Sequence, residues 1–207
     1  MKTLIPAAIR CSLMFTAVTA SLFCVRAAQA YTVTLQQMGA NVVATGHGAI
    51  NLTGLFHFDS HATAPAVIAN EAYISISVGG LQDIYSGFTG PATFGNGGEF
   101  DTNLGSGDPV GIWGNSHLFG IGLIFVPPGY VSNHTLSDSM TFNNATFASL
   151  GVTPGTYIWT WGTGLPNQNF TLVIGGVGVL DGGSTASLLS CALLGLAALR
   201  RKIFVTR

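Results

Sequence analysis

His57, Asp59 and His61 stand at every second position of one short stretch. On an extended strand, side chains so spaced share a face. Two imidazoles and a carboxylate there could hold Zn²⁺ or a similar ion. The competing reading is a solvent-facing row opposite a core lined by Phe56 and Phe58. Glu99 and Asp101 form a second same-face pair. Carboxylates about 5–9 Å apart can hydrolyse glycosides, provided one keeps its proton in a low-dielectric cleft. In this glycine-rich stretch they read more simply as an exposed loop. Asp101, Asn103 and Asp108 offer oxygen ligands for Ca²⁺, without the bidentate glutamate of an EF-hand loop. No cofactor is expected, with calcium the ion considered for these oxygens. Tyr157, Trp159 and Trp161 alternate along one strand. Rings in a row can stack on sugars, but the more polar opposite face of Thr156, Ile158 and Thr160 assigns them to a core. Trp113, isolated among glycines, is the better candidate for a carbohydrate platform. No nucleophile elbow, phosphate-binding loop or His-Glu-x-x-His motif is present.

The distribution of charge excludes whole classes of function. Charged residues are 7% of the 207-residue chain, against roughly a quarter in ordinary soluble domains. Residues 31–179 contain no Lys or Arg but seven acids, a formal charge of −7. A nucleic-acid partner is therefore excluded, because nothing there can displace counterions from phosphates. Lysine Schiff-base chemistry and arginine clamps are excluded on the same ground. The three cysteines, Cys11, Cys24 and Cys191, also lie outside this body. It can hold no disulfide, and its stability must come from burial.

The elements that position these residues read as strands. Candidates are Tyr31–Met38, Asn41–Phe58 with a break at Gly46 or Gly48, Ala72–Val78, Phe119–Val126, Ser139–Asn143, Thr156–Trp161 and Asn169–Ile174. Glycine and proline turns separate them. The expected fold is all-β, an antiparallel β-sandwich or jelly roll over residues 31–178. Residues 89–116 read as a long loop, and Asn143–Leu150 has room for one helical turn. Edge strands lack the lysines that often protect them, so Pro, Gly, Asp or bulges must do so unless self-association is part of the function.

The two ends read as targeting segments. Lys2 and Arg10 precede the uncharged apolar run Cys11–Val25. Ala28 and Ala30 then give small residues at the −3 and −1 positions, predicting that signal peptidase removes residues 1–30 before Tyr31. Lipidation at Cys24 competes with this, but Phe23 precedes it where a small residue is expected. At the other end, the polar stretch Asp181–Thr185 leads into an apolar run through Leu199 and then Arg200, Arg201 and Lys202. A transmembrane helix over about 184–199 with a cytoplasmic basic tail is expected.

The segment VLDGGSTASLLSCALLGLAALRRK, residues 179–202, resembles the PEP-CTERM class of sorting signals, nearest its VPDSG-type variant. Val179, Leu180, Asp181, Gly182, Gly183 and Ser184 form the motif, with Leu180 where the family has proline. Residues 146–164 and 169–175 are similar to the closing segment of many PEP-CTERM ectodomains. The resemblance implies an exosortase as processing partner. It also implies a Gram-negative, exopolysaccharide-making source, in which an inner-membrane-anchored periplasmic ectodomain passes to the cell surface or matrix. The resulting expectation is a non-enzymatic surface protein with a structural or adhesive role in a biofilm matrix. The alternatives are a carbohydrate-binding β-sandwich, with or without calcium assistance, and a secreted glycoside hydrolase using Glu99 and Asp101.

Overall fold

The computed structural model describes residues 29–76, 79–102, 105–116 and 119–175. These residues are mostly strand. One sheet joins β1 (Tyr31–Met38), β2 (Asn41–Ala49), β7 (Phe88–Thr89), β9 (Gly105–Gly107), β12 (Thr135–Phe142), β13 (Gly155–Trp161) and β14 (Asn169–Ile174), in the order β7-β13-β14-β1-β2-β12-β9. The other joins β3 (Phe56–Thr63), β4 (Ala66–Ile68), β5 (Tyr73–Ile76), β6 (Gly80–Ser86), β8 (Glu99–Asp101), β10 (Val110–Trp113) and β11 (Leu123–Val126), in the order β3-β6-β11-β10-β5-β4-β8. All pairings are antiparallel except β1–β14. The all-β expectation therefore holds, with one parallel pair added.

Alternation builds the first sheet. Tyr31, Val33 and Leu35 of β1 point inward while Thr32, Thr34 and Gln36 point out, and Phe170, Leu172 and Ile174 of β14 repeat the pattern. These side chains meet Ile74, Ile76, Ile112 and Ile124 of the second sheet in one core. Trp159 and Trp161 belong to it, as their alternation predicted, at 0% and 6% exposure. The second sheet is covered on both sides. β5 and β11 are buried at every position, because Tyr73, Ile84, Leu123 and Phe125 form a separate apolar cluster on its outer face.

Several sequence boundaries move. β2 runs through both Gly46 and Gly48, and the break falls at 50–55. Gly46 is needed inside the strand. A Cβ there would stand 2.0 Å from Asp138 Oδ1 and 2.1 Å from the Tyr31 hydroxyl. The stretch 89–116 is not a free loop, since it contains β8, β9 and β10. Its glycines allow close backbone approach: Gly95 bridges Val152, and Asn96 and Gly97 N–H groups donate to Gly151 O. β11 begins only at Leu123, and β12 starts earlier than expected, at Thr135. The predicted helical turn is α1 (Phe147–Leu150), capped reciprocally by Thr146 and Ser149.

The edges are protected without lysine. β7, β8 and β9 have two or three residues each, too few to template another chain. The long edge strand β3 carries a bulge between His57 and Asp59.

Connectivity bends the second sheet. Only Ala64 and Pro65 join β3 to β4. In a flat sheet these strands would stand five spacings apart, roughly 24 Å. Three Cα steps reach at most about 11 Å. The β3–β6 pair must therefore curl over the outer face, and the Tyr73 hydroxyl ties the link down by donating to Ala64 O at 2.9 Å.

Candidate functional site

The curled pair encloses a cleft of about 460 Å³ over the second sheet. Tyr73, Trp113, Leu123 and Phe125 supply its floor from the central strands. Phe58, Asp59 and His61 of β3 form one wall, Glu99 of β8 lies on the other side, and Phe119 closes part of the mouth. Trp113 is half-buried, and its indole Nε1–H donates to Glu71 Oε2 at 2.9 Å. Its ring meets Tyr73 edge-on at 5.3 Å. Phe58 and Phe119 make a second edge-on pair at 5.2 Å. Burial pushes the Tyr73 hydroxyl up to about 12, so it stays a donor to Ala64. The ring orientations are thus fixed before any ligand arrives.

The structure brings together some predicted residues and separates others. Trp113, Asp59, His61 and Glu99 meet at this cleft, although β3 and β8 lie at opposite edges of the sheet. His57 does not join them. The bulge makes it pair with Tyr85, whose ring packs toward the intersheet core, while Asp59 pairs with Ile84 of the outer cluster. One extra residue reverses the facing, so the proposed His57-Asp59-His61 metal set is divided. The expected Phe-lined core on β3 is also wrong, since Phe56 and Phe58 are 71% and 41% exposed. Asp101 lies on β8 beside Glu99, whereas Asp108 follows β9 of the other sheet and accepts from Ser137 N–H at 2.8 Å. The suggested calcium loop is therefore split between two sheets, and Asn103 lies outside the described residues. No group of three or more His, Cys, Asp or Glu able to hold a metal ion occurs among the described residues.

Sequence reading missed one triple. Ser60 Oγ donates to Asp83 Oδ1 at 2.7 Å and lies 3.4 Å from His57 Nε2. The order is wrong for a nucleophile: serine must give its proton to histidine, with aspartate orienting the other ring nitrogen. Here aspartate binds serine directly. Hydrogen bonds from Gly129 N–H and Ser60 hold Asp83 below the usual carboxylate range. Glu99 and Asp101 are exposed, which removes the low-dielectric setting a glycosidase acid needs. Sequence reading also missed Tyr73 as a cleft residue and Glu71 as the acceptor that holds Trp113. The signal for Tyr73 was available in Tyr73-Ile74-Ser75-Ile76, a run too apolar for a strand with one wet face.

A buried pair lies in the first sheet. The Tyr31 hydroxyl donates to Asp138 Oδ2 at 2.5 Å. Burial raises the Asp138 carboxyl to about 7, Tyr31's hydrogen bond opposes the rise, and the nearby Asp108 charge adds to it. Tyr31 is the residue after the predicted signal cleavage. Ala30 bridges Ala49, and Ala49 N–H donates to Gln29 O at 2.8 Å. Ala28, the motif residues Val179 to Ser184, the helix over 184–199 and the Arg200-Arg201-Lys202 tail lie outside the described residues. Among the described residues, no helix is long and apolar enough to cross a membrane.

No curated protein and no solved structure matches the chain. Residues 181–203 match the VPDSG-CTERM motif, beginning at Asp181 and so leaving out Val179 and Leu180. The motif implies an exosortase as processing partner, with export to the cell surface or extracellular space. At residues 181–203 the chain thus carries a VPDSG-CTERM motif, a PEP-CTERM-like exosortase sorting signal.

Proposed function

We propose that this chain is a non-enzymatic surface protein whose ectodomain adheres to polysaccharide through the aromatic cleft. The observation that carries this reading is Trp113, held by Glu71 at the floor of an open, largely apolar cleft that Asp59, His61 and Glu99 also line. Preset rings offer stacking area to a sugar at little ordering cost. In this reading signal peptidase removes residues 1–30. The C-terminal helix and basic tail then hold the chain in the inner membrane, with the ectodomain in the periplasm, until exosortase acts.

A glycan array with the purified chain, run with and without a chelator, tests the proposal. Trp113→Ala should weaken any bound glycan about fivefold to tenfold, the loss of one ring contact of about 1 kcal/mol. Unchanged binding by a folded variant would overturn the cleft as the site. Binding lost on chelation would point to a calcium-bridged mode. No glycan bound at all would leave a structural matrix role.

A further inference from the structure

We propose that the cleft is selective for amine-bearing glycans, polymers of 2-amino sugars that carry free ammonium groups, over acidic polysaccharides. This rests on the glycan-binding reading above and adds the chemical class of the ligand.

The first observation is charge complementarity around an aromatic floor. Asp59 and Glu99 line opposite sides of the cleft. Asp101 shares Glu99's face of β8, since it pairs with Ala66 as Glu99 pairs with Ile68, and both partners line the cleft. No Lys or Arg occurs anywhere in residues 31–179. A uronate or sulfate polymer would meet acid walls with no cation to receive it. An ammonium group in the cleft gains the field of these carboxylates and the half-buried Trp113 ring, whose π system attracts cations.

The second observation is independent of charge. The rings of Tyr73 and Trp113 and those of Phe58 and Phe119, all lining the cleft, are set edge-on at 5.3 and 5.2 Å, which gives a sugar ring preset apolar surface beside the carboxylates.

Calorimetric titration of the full-length chain in detergent tests the proposal with three probes of equal length. These are a glucosamine oligomer, its fully N-acetylated counterpart and an oligouronate, at a pH where the amine is protonated. The glucosamine oligomer should bind about fivefold to tenfold more tightly than the acetylated one, as expected for a few exposed ion pairs. Added salt should erase most of that difference, and the oligouronate should bind weakest. Asp59→Asn combined with Glu99→Gln should bring the first two probes within about twofold of each other. Equal or tighter binding of the acetylated oligomer, or a preference for the uronate, overturns amine selectivity and leaves glycan binding intact. Failure of all three probes overturns the glycan reading itself. The probe and salt series on the parent chain decide the matter even if the double variant does not fold.

Discussion

Replacing Asp138 with asparagine should remove most of the pH dependence of stability between about pH 4 and 7. The carboxyl is 6% exposed, accepts the Tyr31 hydroxyl at 2.5 Å and faces a same-sign neighbour in Asp108. Burial raises it from 3.8 to about 7. A raised carboxyl holds its proton in the folded state where the unfolded chain has lost it. Its contribution is therefore fully present below about pH 4 and disappears as pH rises through about 7. At about 1.36 kcal/mol per pH unit, the interval corresponds to roughly 4 kcal/mol. Asp83 acts in the opposite sense and in another window. Its carboxyl is lowered, so its contribution is lost only as pH falls below the ordinary carboxylate value. Urea midpoints for the parent chain and Asp138→Asn, measured in steps across this range, isolate the effect as a difference in slope. The parent should lose stability toward neutral pH, and the variant should be flatter and the more stable of the two near pH 8. A parent curve that rises from about pH 5 to 8, or a variant with the parent's slope, would refute the argument.

Gly46→Ala should destabilise the chain by about 3 kcal/mol or more, because the added Cβ meets Asp138 and Tyr31 at about 2 Å in a buried sheet; a urea midpoint within error of the parent would count against this packing. Glu71→Ala should leave the fold intact and weaken glycan binding about threefold by releasing the Trp113 ring, read by titration with whichever glycan the array identifies. Intact mass of the native protein should lack residues 1–30 and everything beyond about Asp181; a retained Arg200-Arg201-Lys202 tail would mean anchoring without exosortase processing.

The sequence alone determined the address and the building material. The sorting signal is a contiguous run of types in order, so it needs no fold to be read. The all-β character was legible because alternation is local: β1 and β14 fall where their patterns begin and end, and Trp159 and Trp161 are core because their neighbours are polar. Tertiary structure alone decided the site. A single bulge in β3 moved His57 to the other face from Asp59 and His61, and strand periodicity cannot reveal an extra residue whose position is set by the partner strand. Asp101 and Asp108, close in sequence, went to different sheets because β8 and β9 pair with β4 and β12 respectively. Gly46 marked no break, since its lack of a side chain serves Tyr31 and Asp138, residues far from it along the chain. The cleft exists because a two-residue link draws β3 toward β4 and curls the sheet. Local sequence sets which faces are apolar, but pairing between distant segments sets which faces meet.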